Sequence, residues 1–216
     1  LYDLGCSEIT IAYGMTETSP ISFQSDVNDP VDIRVSTVGR IQPHCEVKIV
    51  EDEGSTCPVG QTGELWTKGY LVMKGYWNDA QATRSSIENG WMKTGDLATI
   101  DNEGFCRIVG RKKDMVIRGG ENIYPAELEE FLTAQKGILE AHVFGIPDEK
   151  FGEQLVAWII TEKGATFDEA TIQNLCKNEL AYYKVPAIVR FVEEVPLTAT
   201  GKPQKFKMRE MMLNKT

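Results

Sequence analysis

Four short stretches of this 216-residue chain carry residue types suited to a phosphorylated ligand. Tyr13-Gly14-Met15-Thr16-Glu17 sets an aromatic plane, a glycine, a hydroxyl and a carboxylate side by side. An aromatic face can stack on a purine, a threonine hydroxyl can donate to a phosphate oxygen, and glutamate is a hard oxygen ligand for Mg²⁺. The same residues also fit an ordinary turn with a capping threonine. Trp91-Met92-Lys93-Thr94-Gly95-Asp96 places a carboxylate after a glycine turn, where its two oxygens can accept both hydroxyls of a ribose. An Asx turn between strands is the alternative use of Asp96. Arg111 offers a planar, always-charged fork to ribose or phosphate oxygens, or is a solvated strand-end charge.

The third stretch, Gly110 to Asn122, runs from dense cationic residues through Met115-Val116-Ile117 into Gly119-Gly120. Paired glycines lack Cβ atoms, so the backbone there can approach a slender ligand or adopt φ > 0 in a hairpin turn, and one turn can serve both uses. The fourth, Thr198-Ala199-Thr200-Gly201-Lys202, lies between Pro196 and Pro203, which disfavour a helix or central strand and favour a projecting loop. Lys202 then sits at the tip. Its ammonium could neutralise charge as a carboxylate attacks an α-phosphate. Lys205, Lys207 and Arg209 read as a solvated helix face in preference to a CoA-phosphate contact.

The elements that must position these residues change character along the chain. Between residues 36 and 110 short strands alternate with glycine-bearing turns: Glu46 to Val50, Gly63 to Lys68, Leu97 to Ile100 and Phe105 to Val109, with Asp101-Asn102-Glu103-Gly104 as a hairpin signal. A strand over Ile9 to Ala12 is expected to deliver Tyr13. This spacing predicts a small barrel or sandwich. Beyond Asp114, Pro125 opens a helix with Leu128, Phe131 and Leu132 on one face and Gly137 at its end, and a second helix starts at Asp168 with Ile172, Leu175, Cys176 and Leu180 inward. Ala141 to Gly145 and Leu155 to Thr161 read as paired strands and Ile188 to Val195 as a third, an α+β module. The boundary falls near Lys113.

Composition bounds the partners. A formal charge of −9 disfavours nucleic acid or an anionic membrane, so an anion must find a local cationic site. The five cysteines are widely spaced, without a C-x-x-C pair, and indicate neither a disulfide framework nor zinc. A reducing, intracellular compartment follows. No apolar run reaches the roughly 20 residues of a membrane span. His44 and His142 stand far apart, there is no G-x-S-x-G elbow, and Trp66, Trp77, Trp91 and Trp158 read as core residues. The start at Leu1 suggests an interior piece of a longer chain.

Taken together, Tyr13 to Glu17, Gly110 to Asn122 and Pro196 to Lys202, with Asp96 between them, resemble the adenylate-forming superfamily of acyl-CoA synthetases, luciferases and peptide-synthetase adenylation domains. The resemblance implies that residues 1–112 close the large AMP-binding domain with a β-barrel-like subdomain and that 113–216 form the mobile C-terminal domain. It implies nucleotide or CoA contact for Tyr13, Gly14, Asp96, Arg111, Gly119, Gly120 and Glu121. Thr16 and Glu17 would take catalytic roles at phosphate and Mg²⁺, Lys202 would be the catalytic lysine, and Lys113 the hinge. Polar residues facing solvent suit a hinge because they absorb a large φ/ψ change without disturbing packing. Gly75-Tyr76-Trp77 and Gln204-Lys205-Phe206-Lys207 look most like mitochondrial medium-chain fatty acyl-CoA synthetases. The substrates implied are ATP, a fatty acid and CoA, with AMP released. The family's Ser/Thr/Gly-rich phosphate loop, upstream of Tyr13, is absent, so the chain alone is expected to be inactive.

Overall fold

The computed structural model describes residues 5, 6 and 8–214. It divides into two compact units, residues 1–112 and 113–216.

In the first unit, β1 (Ala12–Gly14), β2 (Ile21–Gln24) and β3 (Arg40–Ile41) form a three-stranded antiparallel sheet, with α1 (Val31–Ser36) between β2 and β3. The expected strand over Ile9 to Ala12 starts later. Ile9 and Ile11 are exposed, and at Ile11 the ladder is incomplete: its carbonyl accepts from Ser25 N at 2.9 Å, but its N–H donates to the Ser25 side-chain Oγ at 2.8 Å. The sheet that follows comprises β4 (Cys45–Val50), β5 (Gly63–Gly69), β6 (Ile87–Glu88, after α2, Ala80–Ser86), β7 (Trp91–Ile100) and β8 (Cys106–Arg111). All its pairings are antiparallel, and β7 bonds to β5, β6 and β8. Asp101 makes the β7–β8 reversal by accepting from the Glu103 and Phe105 amides at 2.9 Å each. Phe23, Ile49, Leu65, Ala98 and Cys106 form the buried cluster, drawn from both sheets, and Tyr13 packs against it.

The second unit is built on β9 (Val116–Arg118), β10 (Glu121–Ile123), β11 (Ile138–Asp148), β12 (Gly152–Thr161) and β13 (Ile188–Phe191), with α3 (Pro125–Thr133), α4 (Glu169–Glu179) and α5 (Lys205–Leu213). β12 pairs antiparallel with β11 and parallel with β13. Its apolar run covers both faces, as a central strand requires. Leu155, Ala157 and Ile159 join Leu128 and Leu132 of α3 and Ile172 and Cys176 of α4, whereas Val156 and Trp158 join Met208 and Met212 of α5. Helices therefore cover the sheet on both sides. Pro125 takes the first helical turn, where its missing N–H is no loss, and Asp168 caps α4 by accepting from Thr171 N at 2.7 Å. α3 stops at Thr133, four residues short of the expected Gly137, which with φ +94° turns the chain into β11.

Candidate active site

Gly14 is fixed by close packing. A Cβ there would lie 1.6 Å from the Pro20 carbonyl oxygen, because the β1–β2 register slips at this point and brings the two backbones together. A single 3-10 turn, Thr16–Thr18, follows. Thr18 is the buried threonine: its hydroxyl accepts from Met15 N and donates to Met15 O, both at 3.1 Å. Thr16 is left exposed and Glu17 half-buried. Glu17 accepts from the Tyr76 hydroxyl at 3.0 Å, and its carbonyl accepts from Met73 N at 2.9 Å. Burial, and then the hydrogen bond to Glu17, raise the Tyr76 phenol above its ordinary value. Among the described residues no group of three or more His, Cys, Asp or Glu converges on a metal position. A glutamate carboxylate is a hard oxygen donor of the kind Mg²⁺ takes together with substrate phosphates and water.

Asp96 is placed by a bulge. Glu64 faces Leu97 and Trp66 faces Lys93, so Leu65 alone opposes Thr94, Gly95 and Asp96. The backbone groups that lose their ladder partners are caught locally. Thr94 Oγ1 donates to Leu65 O at 2.7 Å and accepts from Asp96 N at 3.1 Å, while Gly95 N donates to Glu64 Oε1 at 3.3 Å. Asp96 is only 9% exposed. Its carboxylate accepts from the Tyr13 hydroxyl at 2.5 Å through Oδ2 and faces Arg111 Nε at 3.2 Å through Oδ1. Asp96 and Arg111 are direct neighbours in the β7–β8 ladder, and Tyr13 comes from 83 residues away. Burial first, then the bond to Asp96, push the Tyr13 phenol far above its ordinary value, so it stays a neutral donor. The Tyr13 ring meets Phe23 edge-on with centroids 6.1 Å apart. Each Asp96 oxygen retains acceptor capacity, which suits two vicinal hydroxyls, and exposed Arg111 has further N–H groups to offer an anion.

In the second unit, Gly119 and Gly120 are the two residues of the β9–β10 hairpin, with φ +61° and +89°. Both values lie in the left-handed region of a two-residue turn that glycine adopts without strain. Glu121, exposed, opposes Arg118 across that hairpin, and Arg118 Nη1 donates to Tyr183 O at 2.9 Å. Lys113 is exposed within a single 3-10 turn, Lys112–Asp114. Lys202 lies on a small hairpin closed by Thr198 N to Lys202 O and Gln204 N to Pro196 O, each 2.8 Å. Its side chain is exposed and makes no ion pair among the described residues of this unit.

Two expectations are corrected. Trp77 is 93% exposed rather than a core residue. Lys205 and Arg209 are not a solvated charge row: Lys205 Nζ lies 2.6 Å from Glu129 Oε1, and Arg209 Nη2 2.9 Å from Glu153 Oε1. These acids also accept from the Val143 and Ile117 amides, so they fasten α5 to the sheet with charges while Met208 and Met212 do so with apolar contact. Glu64, Tyr76, Thr94 and Lys112, which hold the neighbouring groups in place, carry no predicted role in the sequence. The Thr94-Gly95-Asp96 sequence carries a local signal of a tethered turn and Tyr76 stands in the Gly75-Tyr76-Trp77 resemblance, which assigns it no role, but nothing near Glu64 marks it.

The first unit holds a carboxylate between a phenol and a guanidinium and carries the loop with Thr16 and Glu17, and the second, taken by itself, presents an exposed lysine on a hairpin. The chain belongs to the adenylate-forming, AMP-binding enzymes: the AMP-binding enzyme model matches residues 1–77 and its C-terminal domain model residues 127–202. It is 51% identical over 211 residues to YngI of Bacillus subtilis, which carries a provisional acyl-CoA synthetase name, covering 96% of this chain and 38% of that protein. It is 45% identical to the medium-chain acyl-CoA ligase ACSF2, mitochondrial, of Rattus norvegicus, covering 97% of this chain and 34% of the relative. ATP-bound MatB from Rhodopseudomonas palustris superposes with a TM-score of 0.87 at 37% identity, covering 94% of this chain and 40% of MatB. The chain thus spans between about a third and two fifths of the lengths it matches. Among the described residues no helix is long and apolar enough to cross a membrane.

Proposed function

We propose that this chain supplies the closing part of the nucleotide site and the mobile C-terminal domain of an ATP-dependent fatty acid–CoA ligase. The observation that carries the reading is the buried Asp96 carboxylate, bonded to Tyr13 and Arg111 yet still able to accept two more hydroxyls. Asp96 would take the ribose of ATP, Arg111 would meet ribose or phosphate oxygens, and Tyr13 and Gly14 would line the adenine side. Thr16 would donate to phosphate, and Glu17, held by Tyr76, would ligate Mg²⁺. That ion would neutralise phosphate charge when bound.

In the first half-reaction the fatty acid carboxylate attacks the α-phosphorus of ATP, the bond to the β-phosphate oxygen breaks, and pyrophosphate leaves. Lys202 would stabilise the negative charge that gathers on the α-phosphate oxygens. In the second half-reaction, after the C-terminal domain turns at Lys113, the thiol of CoA attacks the acyl carbonyl and AMP leaves. Gly119, Gly120 and Glu121 would border the path of the pantetheine arm. The relatives named for acyl-CoA synthesis support the thioester product, and the mitochondrial name of the rat relative supports that compartment.

The test uses the full-length polypeptide that contains this chain, with ATP, Mg²⁺, free CoA and fatty acids of graded length, and products identified by mass spectrometry. Acyl-CoA and AMP in equal amounts are expected. Acyl-adenylate that never becomes acyl-CoA would redirect the reading to loading of a carrier protein, and nucleotide binding with neither product would leave a noncatalytic module.

A further inference from the structure

Glu64 reaches both the Asp96 bulge and the border of the proposed pivot. Its Oε1 accepts the Gly95 amide at 3.3 Å, and its Oε2 lies 3.2 Å from Lys112 Nζ. Lys112 also meets Asp52 Oδ1 at 2.9 Å. The hydrogen bond to Asp52, and then that to Glu64, raise the Lys112 ammonium. The Asp52 contact is shorter, but that side chain is 70% exposed whereas Glu64 is 12% exposed. An ion pair standing in water contributes little, while a shielded carboxylate with two partners is held in place and would be costly to leave without its counter-charge. The Glu64 arm is therefore the one that immobilises Lys112.

Lys112 is followed directly by Lys113, and Arg111, directly before it, is paired with Asp96. If Lys112 were loose, a backbone rotation beginning at Lys113 would spread into Arg111 and disturb the nucleotide-binding carboxylate. We propose that Glu64 is a positioning residue that couples the Asp96 bulge to the near side of the pivot, confining the rotation to Lys113 and beyond. The proposal rests on the ligase reading above for its catalytic consequence, but not for the physical link.

Glu64→Gln and Lys112→Met in the full-length polypeptide test it. Glutamine keeps an oxygen for the Gly95 amide and deletes the charge facing Lys112. Hydrogen exchange should be unchanged over residues 94–96 and about tenfold faster over 112–114 in both variants, with no further gain in the double variant. Glu64→Ala should speed exchange in both segments and raise KM for ATP. In the half-reactions, Glu64→Gln should hold adenylation within about twofold and slow thioester formation from supplied acyl-adenylate by roughly fivefold to tenfold. Unaltered exchange over 112–114, or equal loss of both half-reactions, would overturn the proposal. A wild-type protein that forms no acyl-adenylate would defeat the ligase reading, and the exchange pattern would still decide the link.

Discussion

The two units present their candidate functional side chains in opposite ways. In the first, Asp96 is buried and both its oxygens already have partners, with Thr94, Gly95 and Glu64 absorbing the polar groups exposed by the bulge. In the second, Lys202 is exposed on the rung that closes a small hairpin, where its carbonyl accepts from Thr198 N, and the apolar packing and ion pairs that follow it lie in α5. A group that must recognise the same ligand in every step benefits from a fixed geometry. A group needed in only one step benefits from freedom to arrive and leave.

That contrast can be broken most severely at Lys202. Lys202→Ala should cut adenylation by about a hundredfold to a thousandfold, the loss typical of a charge-stabilising donor, while supplied acyl-adenylate is still converted to thioester. Equal loss of both half-reactions, measured separately, would show that Lys202 serves both steps like a fixed group. Asp96→Ala should weaken AMP binding by about tenfold to a hundredfold in calorimetry, because a charged hydrogen-bonding group is removed and Arg111 loses its partner. Binding unchanged within error would remove Asp96 from the nucleotide site. Lys113→Pro should spare adenylation and slow the CoA step by about tenfold or more, since a fixed φ opposes rotation. Unaffected CoA transfer would discard Lys113 as the pivot.

The smallest effect is at Tyr13. Tyr13→Phe should weaken AMP binding about threefold to tenfold, the worth of one hydrogen bond. Because its folded pKa is raised, the stability the Tyr13–Asp96 bond contributes is fully present below about pH 10 and is lost as pH climbs from there towards the folded value. Absorbance titration of the tyrosines should show a late-ionising step that Tyr13→Phe deletes. If the last step survives the substitution, the phenol is less well held than its burial implies.

Much of the fold was legible because its signals are local. Pro125, Asp168 and the Asp101 to Gly104 turn mark element ends by backbone chemistry alone, and the apolar run of β12 marks a strand with both faces covered. The full extent of β7 was hidden because its bulge breaks the alternation that identifies a strand, so only Leu97 to Ile100 stood out. Trp77 shows the limit of composition: a large aromatic residue carries no mark of the face on which it lands. For the site, residue types named Tyr13, Asp96 and Arg111, but their mutual bonds depend on pairings across up to 83 residues. Glu64 and Lys112 interact over 48 residues through a ladder register that no short motif encodes.

The narrow neck of the Lys202 hairpin has an entropic consequence. Pro196 and Gln204 are joined by a 2.8 Å hydrogen bond, and Thr198 is joined to Lys202 inside them, so the backbone of the tip is already confined before any ligand arrives. What remains to be ordered on engagement is chiefly the four-carbon arm, at most about 2 kcal/mol of rotamer freedom. In the proposed ligase, Lys202 would thus be recruited and released once per turnover without a folding event in the hairpin.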